Sequence, residues 1–121
     1  MNNLKPKEVT MQVRFTARHY KSPDRLKEYA EKKVQKLEKY YDGIINCEVI
    51  LDYEKLLQVA EINLDVYNQR LVAIEKSEDV YKSIDLAVDK LKRQLKRYKE
   101  KLKDHSNTKP SILINRTVTG E

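Results

Sequence analysis

From Val80 to Leu102 the apolar residues Val80, Ile84, Ala87, Val88, Leu91, Leu95, Tyr98 and Leu102 step by three and four positions without a miss, and neither proline nor glycine interrupts them. Side chains at that spacing return to one side of an α-helix, so the stretch reads as a single helix of about six turns with one apolar stripe. A stripe that long needs an apolar surface to cover it, and the rest of the chain has to provide one.

The preceding residues supply it in a different period. Met11, Val13, Phe15 and Ala17 alternate with polar residues as a half-buried strand does. Ser22-Pro23-Asp24 offers an N-cap, a proline at the first helical position and a first-turn acid. Leu26, Ala30, Val34, Leu37 and Tyr41 then recur at helical spacing as far as Asp42-Gly43, predicting a first helix over about 23–41. Period two returns at Cys47, Val49, Leu51 and Tyr53. After a turn at Glu54-Lys55 it continues through Leu57, Ile62, Leu64 and Val66, and after Asn68-Gln69 through Leu71-Val72-Ala73-Ile74. Ser77-Glu78-Asp79 reads as the cap and first-turn acids of the long helix. The expectation is an α+β fold of order β-α-β-β-β-α, a two-layer sandwich whose four-stranded sheet packs two helices on one face. Its other face, bearing Arg14, Glu48, Glu61 and Asp65, should look at solvent. Residues 1–9 read as a flexible N-terminal arm, 10–104 as one domain and 105–121 as a C-terminal tail.

Charge says more about partners than about fold. The 121 residues hold 25 Lys+Arg against 19 Asp+Glu, a formal net charge of +6, and the cations are not evenly spread. Between Lys90 and Lys103 stand Lys90, Lys92, Arg93, Lys96, Arg97, Lys99, Lys101 and Lys103, with Glu100 the only acid among them. Lys90, Arg97 and Lys101, with Arg93 just beyond, fall on one edge of the apolar stripe; Lys92, Lys96, Lys99 and Lys103 fall on the other. On the first helix Arg25, Lys32, Lys36 and Lys39 share a flank, and Glu28, Glu31, Gln35 and Glu38 share another. Like charges at i,i+4 destabilise a helix by about 0.2–0.5 kcal/mol each. Dipole complementarity favours cations only in a helix's last turn. A cationic face this long points to a polyanion, with a phosphate backbone the natural candidate.

Other classes of function find little material. With 2 Gly in the chain, neither a glycine-rich phosphate loop nor a dinucleotide fingerprint can be built. One cysteine, Cys47, on an apolar strand position, excludes an internal disulfide and a multi-cysteine zinc site and suits a reducing compartment. His19 and His105 have no recognisable nucleophile or second base beside them, and the acids show no metal-ligand spacing. No apolar run approaches the ~20 residues that cross a bilayer, and Met1–Glu8 lacks the apolar core of a signal peptide. We expect a cytoplasmic, unprocessed, non-enzymatic protein without metal or cofactor, binding neither membrane nor small-molecule substrate.

Residues 77–103 carry a specific likeness. The opening Glu-Asp-Val-Tyr-Lys-Ser-Ile-Asp (78–85) and the run Asp-Lys-Leu-Lys-Arg-Gln-Leu-Lys-Arg-Tyr-Lys-Glu-Lys-Leu (89–102) closely resemble the ribosome hibernation-promoting factors, which include the ribosome-associated translation inhibitors. Ser22–Asp42 and the element order support the same family, over about residues 10–104. The resemblance implies binding to the small (30S) ribosomal subunit in the mRNA/tRNA decoding channel, alone or within the 70S ribosome. There, basic helices contact 16S rRNA and silence translation by occlusion. The family's rRNA-contacting positions match Lys90, Arg93, Arg97 and Lys101 in the second helix and Lys33 and Lys36 in the first; Lys32 and Lys96 join them from the basic flanks. A short factor, an inhibitor-type member and the N-terminal part of a long factor all fit. The alternative is a general double-stranded RNA-binding module, because α-β-β-β-α lies within the same order.

Overall fold

A computed structural model describes residues 11–108, with the side chains of 104–108 left aside; the expected arm over 1–9 and the tail beyond Thr108 lie outside the described residues. The elements are β1 (Gln12–Ala17), α1 (Asp24–Gln35), a 3-10 turn (Lys36–Lys39), β2 (Asn46–Glu54), β3 (Leu57–Val66), β4 (Gln69–Ser77) and α2 (Val80–Thr108). The four strands form one sheet in the order β1-β2-β3-β4, and the expected β-α-β-β-β-α sandwich is the fold observed. The sheet is mixed, because β1 pairs parallel with β2 across the α1 crossover while the other pairings are antiparallel.

Alternation along the strands makes the inner face. Cys47, Val49 and Leu51 of β2 pair with Leu64, Ile62 and Ala60 of β3, and Leu64 and Ile62 pair in turn with Leu71 and Ala73 of β4. All are buried. Against them sit Leu26, Ala30, Val34 and Leu37 from the first helical segment and Ile84, Ala87, Leu91 and Leu95 from α2, completing one core. At roughly 25 cal/mol per Å² of apolar surface removed from water, this burial is the main stabilising contribution.

Local chemistry shifts several expected boundaries. Ser22 is not the N-cap: Pro23 holds that position in an extended conformation (φ −72°, ψ 155°), makes no side-chain cap, and its carbonyl accepts from Leu26 N–H at 3.0 Å. The helix does not run to 41. Lys36 N–H is shared between the carbonyls of Lys33 and Val34, and the chain tightens into the 3-10 turn. Gly43 has no positive φ and so provides no left-handed stop; a Cβ there would lie 2.5 Å from the Tyr41 ring. The hairpin loops are Lys55-Leu56 and Tyr67-Asn68, each shifted by one residue from the expected turns, with Lys55 and Asn68 at φ 61° and 64°. Strand β4 continues to Ser77, and Asp79 caps α2 by accepting from Tyr81 N–H at 2.9 Å. Leu102 is exposed because α2 outruns the sheet: Tyr98 Oη already donates to Tyr67 O, in the β3–β4 loop, at 3.0 Å.

Candidate nucleic-acid interface

Seating the apolar stripe of α2 on β3 and β4 forces its cations onto two flanks. On the β4 side Gln94 Nε2 donates to Val72 O at 2.9 Å, and with Tyr98 this fixes the helix along the sheet edge. Lys90, Arg93, Arg97 and Lys101, one or two turns apart, then line a single open cleft with Gln69, Leu71, Gln94 and Tyr98. Among the described residues no carboxylate lines it. Lys90 reaches Glu75 at 3.6 Å, an exposed pair worth little in water. Arg93, Arg97 and Lys101 form no ion pair among the described residues. The i,i+4 pairs Arg93/Arg97, Arg97/Lys101, Lys92/Lys96 and Lys99/Lys103 together oppose helix formation by about 1–2 kcal/mol, a cost that a bound polyanion would remove.

The second flank faces α1. Lys33, Lys36, Leu37, Tyr40, Asp85, Val88, Asp89 and Lys92 line the groove between the helices, and Lys96, Lys99 and Arg93 extend it along α2. Arg93, which the sequence places just beyond one edge of the stripe, therefore borders both depressions. Lys33 is tied into the helix pairing: its Nζ lies 3.3 Å from Asp85 Oδ1 and 5.6 Å from the Tyr29 ring centre. Lys32 is exposed and lines neither depression. Tyr40 is 44% exposed among these lysines. Its signal appears only once the fold brings Lys92 of α2 over it, with Nζ 5.5 Å from the ring centre.

The opposite side of the sheet is chemically different. Arg14 is exposed there, while Glu48, Glu61 and Asp65 are half-buried rather than fully solvated, around a buried Ile50 and Asn63. Arg70 clamps Asp65 with two hydrogen bonds of 2.7 and 3.1 Å, and this holds the Asp65 carboxyl below the usual range. Val72 and Ile74 on the same face are partly exposed. This side carries carboxylates and apolar side chains, whereas Arg93, Arg97 and Lys101 on the helical side have no ion pair among the described residues.

Other reactive groups are occupied or shielded. Cys47 is buried, and desolvation, reinforced by Asp65 and Glu48, pushes its thiol up to about 12, which leaves it un-ionised and inert at neutral pH. His19 Nδ1 lies 2.9 Å from Asp52 Oδ1, which also accepts from Tyr53 N–H at 2.8 Å, so both groups are already engaged at strand β2. Among the described residues no group of His, Cys, Asp and Glu could hold a metal ion, and no helix is long and apolar enough to cross a membrane.

Comparison with known proteins follows the same line. Residues 13–103 match the family described as sigma 54 modulation protein / S30EA ribosomal protein. The ribosome hibernation promoting factor of Azotobacter vinelandii is 42% identical over 91 residues, 75% of this chain and 85% of that protein. That of Escherichia coli (strain K12) is 36% identical over 95 residues, 78% of this chain and 100% of the relative. Among solved structures, a ribosomal subunit interface protein from Coxiella burnetii superposes with a TM-score of 0.71 at 30% identity, covering 74% of this chain and 99% of its own. The N-terminal domain of Thermus thermophilus Protein Y gives 0.66 at 31% identity, with the same coverage.

Proposed function

The chain belongs to the sigma 54 modulation protein / S30EA ribosomal protein family, which includes ribosome hibernation promoting factors, and we propose that it holds ribosomes inactive by binding the small subunit. In this reading the protein lies in the decoding channel of the 30S subunit, free or within the 70S ribosome. Its helical face rests on 16S rRNA and excludes mRNA and tRNA. It works in the cytoplasm by occupancy, without bond chemistry, metal or cofactor.

The observation that carries the reading is the cleft of Lys90, Arg93, Arg97 and Lys101 beside β4, lined by no carboxylate among the described residues. Four cations that each replace a condensed counterion give a log–log salt slope of about −3 to −3.6, or roughly 50- to 150-fold weaker binding between 50 and 200 mM salt. Lys36 and Lys96 would add to the slope from the second flank. Lys33, already paired with Asp85, would add less, and exposed Lys32 would reach only RNA that wraps beyond α1.

Competition tests the site. Purified small subunits loaded with mRNA and tRNA should lose them as the protein is added, and prior loading should block the protein in return. Simultaneous occupancy would place the protein elsewhere. Displacement by plain duplex RNA at similar concentration would favour the general double-stranded RNA-binding reading.

A further inference from the structure

The two depressions flanking α2 differ in a way that net charge hides. Among the described residues the β4-side cleft has cations and no carboxylate in its lining. The inter-helix groove has cations plus Asp85 and Asp89, with Asp89 3.6 Å from Lys92. Carboxylates repel a phosphate but accept hydrogen bonds from the amino edge of a base. Over this groove stands Tyr40, with its backbone pinned by a 3.0 Å bond from its N–H to Leu37 O at the end of the 3-10 turn. Exposure alone would mean little, since Ile45, Leu56 and Tyr67 are exposed too. Tyr40 differs from them in its surroundings. Its ring meets Lys92 and shares its depressions with Lys36, Lys96 and Lys99, whereas neighbouring Tyr41 is stacked edge-on against Tyr98 within the fold.

We propose that Tyr40 is a stacking platform for an unpaired nucleobase of the bound RNA. The inter-helix groove is then a base pocket, and the β4-side cleft is the phosphate track. The base lies on the phenol ring, Lys92 swings from the ring to the adjoining phosphate, and Asp89, released from Lys92, faces the base edge. This favours bases that carry an amino group. An aromatic ring in a cationic groove is the combination by which proteins hold single-stranded nucleotides. The inference rests on the proposed function, because it takes the helical face as the RNA-binding one.

The test compares full-length wild type, Tyr40→Ala, Tyr40→Trp, Lys92→Gln and Arg93→Glu/Arg97→Glu for binding to purified small ribosomal subunits across a salt series. Stacking is sequence-tolerant and releases no counterions. Tyr40→Ala should therefore weaken binding by about tenfold with an unchanged salt slope, while Tyr40→Trp restores affinity. Lys92→Gln should instead lower the slope by about 0.7–0.9. A wild-type melting curve for Tyr40→Ala, expected from the ring's exposure, confirms that folding is intact. If Tyr40→Ala binds like wild type while the arginine variant does not, stacking is overturned and the ribosome reading stands. If tryptophan fails to rescue the alanine variant, stacking is overturned as well. If the arginine variant binds like wild type, the helical face is not the RNA-binding one and both proposals fall.

Discussion

Tyr29 of α1 donates a 2.6 Å hydrogen bond to Asp85 of α2, and the same carboxylate accepts Lys33 at 3.3 Å. This link sets the width of the inter-helix groove. Tyr81 packs edge-on against Tyr29 with ring centres 4.9 Å apart and closes the joint. Desolvation first, and then the bond to Asp85, pushes the Tyr29 hydroxyl up to about 12. The bonded form is the protonated phenol, so its contribution is complete below the ordinary tyrosine value near 10 and is lost as pH rises through about 12. Tyr29→Phe should cost about 1.5–3 kcal/mol at neutral pH. Denaturant titrations between pH 8 and 12 should show the wild-type advantage shrinking at the alkaline end.

A second tie fastens the start of α2 to the sheet. Ser83, fully buried, donates to Gln58 O at 2.8 Å and shares a 2.7 Å hydrogen bond with Ser77 Oγ. Ser83→Ala keeps the packing volume nearly constant but leaves the half-buried Gln58 carbonyl and Ser77 hydroxyl each with one partner fewer. A loss of about 1–3 kcal/mol in unfolding free energy is expected.

Asp79, which caps α2, provides a contrast with Ser77 at the expected cap position. Asp79→Ala should cost about 1 kcal/mol through the lost bond to Tyr81 N–H. Circular dichroism melts of the single variant would register it. An unchanged melt would mean that the long apolar stripe holds the helix start without a cap.

Cys47 gives a probe of global opening. Because the thiol is buried and held un-ionised, a thiol-directed reagent at neutral pH should modify native protein slowly. Modification should speed up through the same denaturant range in which helicity is lost. Fast labelling of native protein would show that the sheet opens locally at β2.

What was legible in the sequence follows the physics of each signal. The stripe of α2 and the alternation at Cys47, Val49 and Leu51 repeat over many residues, so one misplaced side chain does not obscure them. Turns rest on one or two residues and were less legible. Lys55 takes a left-handed conformation without being glycine or asparagine, so nothing in its side chain announced the loop position. The parallel pairing of β1 with β2 has no sequence signature beyond the helix between them. The basic flanks of α2 could be laid out by angle, but Tyr40 could not be assigned to the site. Its surroundings are assembled by Lys92, Lys96 and Lys99, more than fifty positions along the chain.

The central claim is that Lys90, Arg93, Arg97 and Lys101 hold the protein on the small ribosomal subunit. The direct measurement is sedimentation of the purified protein with ribosomes through sucrose gradients at low and high salt, beside the Lys90→Glu/Arg93→Glu/Arg97→Glu/Lys101→Glu variant. Wild type should travel with the small subunit and the 70S peak and be released by high salt, while the variant, folded by circular dichroism, stays at the top. Wild type left at the top at low salt, or a variant that co-sediments as well as wild type, would contradict it.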